Sequence, residues 1–171
     1  MKSQRGFTLI ELLIVVAIIG VLAALAISQL LRARMASSEA AAIGSMRSIA
    51  SGQIAYSTGC GGGAFATDLT TLGVPAPGST VPFLSPDLTS AVSVDKSGYT
   101  LTLANGAGAG PGLPDCNGTA TSTGYYASSR PLSFGISGQR SFAMTANGVI
   151  WQVSGAAPPP EPLGPPATTI Q

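Results

Sequence analysis

One carboxylate stands where hydrocarbon belongs. Glu11 lies at the head of an apolar run, residues 12–27, that follows a basic pentapeptide and Gly6. A charged side chain inside a bilayer costs on the order of 2.5–3.5 kcal/mol even on lenient insertion scales, so a plain anchor would carry leucine there. A cation would offset that penalty. Were the chain cut after Gly6, a free amine on Phe7 would lie one helical turn from Glu11, on the same copy or on a neighbour. Other reactive residues are few. Cys60 and Cys116 are the only cysteines, histidine is absent, and Asp68, Asp87, Asp95 and Asp115 have neither the spacing of a catalytic pair nor that of a calcium loop. Without histidine the commonest metal ligand and the commonest general base are both missing. Two lone cysteines make a poor metal site, and no nucleophile, base and orienting residue can be assembled. The inventory points away from an enzyme and implies no cofactor.

The stretch Gly6-Phe7-Thr8-Leu9-Ile10-Glu11-Leu12-Leu13-Ile14-Val15, continuing through Ala24, closely resembles the start of type IV prepilins and of the related pseudopilins of type II secretion. The likeness is dense over residues 6–29, about a seventh of the chain, and weak beyond. It implies that a prepilin peptidase cuts between Gly6 and Phe7 and methylates the new amine. It implies too that Glu11 sets each subunit into a growing filament by pairing with the Phe7 amine of a neighbour. The implied partners are further copies in a helical homopolymer, the peptidase, the membrane before assembly, and the inner-membrane machinery of pilus assembly or secretion. The implied locations are the bacterial inner membrane, then an extracellular or periplasmic filament. In one respect the chain departs from the pattern: where many relatives have proline after the apolar run it has Ser28. Proline costs a helix roughly 3 kcal/mol and serine only tenths, so local melting between Gly20 and Ser28 is less expected here.

Two other readings compete for the first 31 residues. Lys2 and Arg5, an apolar stretch and Ala24-Leu25-Ala26 also fit a secretory signal cut after Ala26. Glu11 and the Gly6-Phe7 junction argue against it. An uncleaved anchor is the third reading, since residues 7–31 give 25 positions, polar only at Thr8, Glu11, Ser28 and Gln29. Charged residues make up 9% of the chain against a usual quarter. Loss of Lys2 and Arg5 with the leader would leave six basic against seven acidic side chains, a balance with no nucleic-acid footprint.

The elements that must position these residues begin with a long helix. Ala36, Ala40, Ile43, Met46, Ala50 and Ile54 recur at three- and four-residue spacing, with Arg32, Arg34, Glu39, Arg47 and Gln53 mostly elsewhere on the circle, which predicts an amphipathic continuation to about Tyr56. A pair of shorter helices broken at Gly44 or Gly52 is the alternative. Gly59-Cys60-Gly61-Gly62-Gly63 ends the helix, and four prolines between Pro75 and Pro86 predict a loop with one short helical turn near Asp68 to Leu72. Strands are predicted at residues 99–103, 124–128, 141–145 and 149–153, the last two a hairpin whose Asn147-Gly148 supplies positive φ angles. Phe142, Ile150 or Trp151 are the expected contacts with the helix. In an exported domain Cys60 and Cys116 read as a disulfide contributing about 4 kcal/mol in the chain-entropy model, with two buried thiols as the alternative. Asn117-Gly118-Thr119 satisfies a glycosylation sequon, and the proline-rich stretch from Pro158 reads as an extended, solvated tail.

The sequence thus predicts an α+β, pilin-like chain in which a long N-terminal helix packs on an antiparallel sheet of three or four strands. Its expected parts are a leader, residues 1–6; a helix, 7–57, with 7–31 in the membrane or filament core; a globular head, 58–157; and a tail, 158–171. The expected function is that of a structural subunit of a type IV pilus. A type II secretion pseudopilin, or a secreted or anchored adhesin-like binding domain, are the alternatives.

Overall fold

The computed structural model describes residues 6–170. Residues 1–5 and Gln171 lie outside that range. The chain divides into two units, Met1–Arg34 and Met35–Gln171, and helix α1, Leu9–Gly59, begins in the first and ends in the second. Neither Gly20 nor Ser28 interrupts it, and neither Gly44 nor Gly52 breaks it. The Ser28 hydroxyl donates to the Leu25 carbonyl at 3.0 Å, so the residue that replaces proline is absorbed into the helix. In the first unit every described side chain is exposed, and the helix there is long and apolar enough to cross a membrane.

The second unit is a helix on a sheet. From Met35 onward α1 buries Glu39, Ala42, Ser45, Met46, Ile49, Gly52, Gln53 and Tyr56. This is a three- and four-residue stripe, but not the expected one: Ala36, Ala40 and Ile54 are exposed, while Ile43 and Ala50 only flank the core. The face turned because two polar side chains carry it inward. Gln53 donates to the Ala66 carbonyl and accepts from its N–H, both at 2.9 Å, and Glu39 is held by Arg140. At the end of α1 the N–H groups of Cys60 and Gly61 both donate to the Tyr56 carbonyl, at 2.9 and 2.8 Å. A Cβ on Gly61 would lie 2.9 Å from the Tyr56 ring, so only glycine closes the helix this tightly.

Beyond the helix, β1 (Phe65–Ala66) pairs with β4 (Thr121–Ser122), and at the start of a 3-10 turn, Thr71–Gly73, Asp68 accepts from the Thr70 hydroxyl and the Thr71 N–H. After the prolines comes a one-turn helix, α2 (Pro86–Thr89), opened by proline in its first turn. The main sheet is wholly antiparallel in the order β2-β3-β5-β6-β7-β8, formed by Ser93–Lys96, Tyr99–Asn105, Tyr125–Pro131, Arg140–Thr145, Ile150–Ser154 and Thr168–Thr169. The α+β class is as expected, with six main-sheet strands where three or four were predicted. The two unforeseen members are its edges. β2 is short and polar, and β8 is two threonines beyond a run of prolines; both acquire strand geometry by pairing with a neighbour.

Side chains alternate across the sheet. Leu101, Leu103, Tyr125, Ala127, Phe142, Met144 and Ile150 face α1, and all are buried. Trp151, next to Ile150, therefore faces the other way and, of the three expected helix contacts, is the one that the sheet turns outward. The hairpin at Asn147-Gly148 also differs from expectation. Only Gly148 has positive φ, and its N–H donates to the Thr145 carbonyl at 2.9 Å, which makes a wider loop of the type I plus left-handed glycine kind. The expected solvated tail is instead a strap: the Tyr126 hydroxyl donates to the Pro159 carbonyl at 2.6 Å, Pro159 is buried, and the Ile170 N–H donates to the Ile150 carbonyl at 2.9 Å. Prolines that cannot donate to a ladder cross the outer face of the sheet, and the residues after them can donate and do.

Candidate assembly site at the N-terminus

The Gly6-Phe7 bond lies in exposed chain without regular structure immediately before α1, and Phe7 is 78% exposed. At the first helical turn Thr8 and Glu11 bond reciprocally. The Thr8 N–H and hydroxyl both donate to Glu11 Oε2, at 2.9 and 2.8 Å, and the Glu11 N–H donates to Thr8 Oγ1 at 3.3 Å. This is a capping box: Thr8 is the cap, and the carboxylate three residues on reaches back to satisfy donors that a helix start leaves unpaired.

The box answers the question that Glu11 raises. The Phe7 nitrogen is a peptide amide and Glu11 bonds to Thr8, so a transfer of the carboxylate out of water would be offset within its own turn. The positive end of the helix dipole favours the charge as well. Removal of residues 1–6 would place an ammonium one residue before the cap, adding a cation to a carboxylate already held in place. Sequence inspection for catalytic spacings missed Thr8. The signal was present, since Thr-x-x-Glu ahead of an apolar run is the signature of this cap.

Cys60 and Cys116 lie in the second unit and are joined as a disulfide, with Cα atoms 4.9 Å apart. Around it, the Cys116 N–H donates to the Cys60 carbonyl at 3.0 Å, and the Tyr56 hydroxyl donates to Asp115 Oδ2 at 2.7 Å. Burial opposes ionisation of Asp115, but this bond and the N–H groups of Thr119 and Asn117 outweigh it and hold the carboxyl below its usual value. Burial and the same carboxylate push the Tyr56 phenol upward. The sequon residue Asn117 is occupied: its side-chain amide donates to the Pro75 carbonyl at 3.2 Å and lies 3.8 Å from Cys60 Sγ. At the other end of the helix stripe, Glu39 accepts from Arg140 Nε and Nη2 at 2.8 and 2.6 Å and from the Gln139 N–H at 2.8 Å. None of these residues contacts a reacting group. They fix the sheet to the helix.

Comparison with known proteins bears on the N-terminal segment. Residues 1–27 match the family model described as the prokaryotic N-terminal methylation motif. Two fimbrial proteins of Pseudomonas aeruginosa are each 79% identical to the chain over 29 residues, which is 17% of this chain and 19% of theirs. The chain thus matches less than a fifth of the length of these relatives. No solved structure is significantly similar to it. Residues 1–27, with their capped Glu11 and the apolar helix they open, thus carry the prokaryotic N-terminal methylation motif and are similar to the start of these fimbrial proteins.

Proposed function

We propose that the chain is a structural subunit of a type IV pilus, made as a prepilin and cut and methylated at the Gly6-Phe7 junction. It waits in the inner membrane through residues 7–31 and then polymerises through the same segment. The observation that carries this reading is the uncovered apolar helix opened by Glu11: every described side chain of residues 6–34 is exposed. A bilayer can cover that surface before assembly, and like helices can cover it afterwards. Burial of apolar surface is worth roughly 25 cal/mol per Å2, which makes a bundle of such helices cohesive in water. Glu11 and the Phe7 amine would then set the register.

The test combines intact mass with electron microscopy of filaments from cells carrying the native chain or Glu11→Gln. The native product is expected to begin at Phe7, heavier by one methyl group, and to form long fibres. Glu11→Gln is expected to insert in the membrane normally and give at least tenfold fewer fibres. A product that begins at Ile27 would remove Glu11 from the mature protein and overturn the proposal, as would normal fibre yield from the variant.

A further inference from the structure

The surface of the second unit is asymmetric. At one end of the sheet the loop joining β5 to β6 lies beside Glu39, to which Gln139 donates, and the Leu132 N–H donates to the Gly98 carbonyl at 3.0 Å. This loop exposes Leu132, Phe134 and Ile136, by 52%, 52% and 74%. Three large apolar side chains on one short loop form a patch that calls for a cover. Next to them stands Arg130, exposed at the end of β5 and without an ion-pair partner among the described residues. The other bases of the sheet are engaged: Lys96 pairs with Asp87 and Arg140 with Glu39.

The opposite end of β5 is about 17 Å away along the strand. There the outer face bears a cleft of about 540 Å3 between the 106–109 turn, the β6–β7 loop, Trp151 and the strap residues Glu161 to Leu163. Glu161 Oε2 accepts from the Ala107 N–H at 2.7 Å, and no cation meets the carboxylate among the described residues. One end of the sheet is therefore projecting, apolar and cationic, and the other is concave, aromatic-walled and anionic.

Resting on the filament reading, we propose that this cleft receives the 130–137 loop of a second copy, with Phe134 against Trp151 and Leu163 and Arg130 reaching Glu161. Charge complementarity and the matching apolar surfaces select another copy of this chain as the occupant. The two surfaces differ and lie at opposite ends of one sheet, so the contact is heterologous. Each copy that docks presents a fresh cleft, and the series extends into a fibre and does not close as a dimer.

The test uses the full chain in cells that assemble filaments. Arg130→Glu and Glu161→Arg are each expected to lower fibre yield at least tenfold, and the double exchange to restore it to within about twofold. In a chain carrying Phe134→Cys with Leu163→Cys, mild oxidation of fibres is expected to give a ladder of dimers, trimers and higher multimers that neither single variant gives. Thermal melting of the extracted chains guards against misfolding, and the cysteine pair gives a readout independent of the charge variants. Normal fibres from both charge variants, single variants that fail without rescue, no ladder, or linkage that stops at dimers would each overturn the docking while leaving native fibres intact. Absence of fibres from the native chain would instead overturn the filament reading, and the docking with it.

Discussion

Three polar residues on α1 decide how it is used, and each works by satisfying backbone or side-chain partners that apolar residues could not. Glu11 closes the cap with Thr8, Gln53 saturates both backbone groups of Ala66, and Glu39 gathers the Arg140 guanidinium together with two backbone N–H groups. The last is the most sensitive to substitution. Glu39→Gln keeps the shape but removes the charge and turns one acceptor into a donor facing the guanidinium. Breaking a fully buried pair costs roughly 3–5 kcal/mol. The Arg140 side chain is 42% exposed against 9% for Glu39, so water rehydrates the guanidinium and a loss of about 2–3 kcal/mol is expected. Urea unfolding of the extracted chain measures it. A change below about 0.5 kcal/mol would mean that the bonds merely decorate the junction.

At the scale of elements, the sequence made the long helix, the glycine-rich stop and the inner strands legible, because periodicity and breakers are local signals. Tyr99–Asn105 alternates polar and apolar residues on its own account, and Arg140–Thr145 is announced by the Asn147-Gly148 turn that follows it. The face of the helix was less legible: counting apolar positions set Glu39 and Gln53 outside, whereas their partners are Arg140, far along the chain, and Ala66, in the two-residue strand β1 that the sequence did not announce. The edge strands were invisible for the same reason, since β2 and β8 are strands only by virtue of their neighbours. The strap carries a consequence of its own. Ending the chain after Ala157 removes buried Pro159 and Ala167, takes the half-buried Ile170 from the core and bares the β7 edge. At about 1.5–3 kcal/mol for a fully buried large apolar side chain, the truncation is expected to cost roughly 2–4 kcal/mol. Amide exchange should quicken in β7 and leave β3 protected. Unchanged exchange in β7 would show that the tail adds no cover.

For the molecule as a whole, the poverty of charge fixes how stability responds to pH. The chain has no histidine and its two cysteines are joined, so no side chain with an ordinary value titrates between about pH 5 and 9. On the acid side Asp68 and Asp115 both lie below their usual value of 3.8: burial opposes this, but hydrogen bonds from Thr70 and Thr71, and from Tyr56, Thr119 and Asn117, prevail. Carboxyls depressed in the folded state contribute stability above their unfolded value, which is lost as pH falls through the folded one. On the alkaline side burial pushes Tyr99 and Tyr126 up to about 12 and raises Tyr56 and Tyr125 as well. Their contribution is complete below the unfolded value of 10 and is lost as pH rises from there. The melting temperature should therefore be level from pH 5 to 9 and fall below 4 and above 10, with phenolate absorbance for these tyrosines delayed until the fold opens. A slope across the neutral range would require a titrating group that the second unit does not possess, and would point to the Phe7 amine, the one ordinary neutral-range base that leader removal would create.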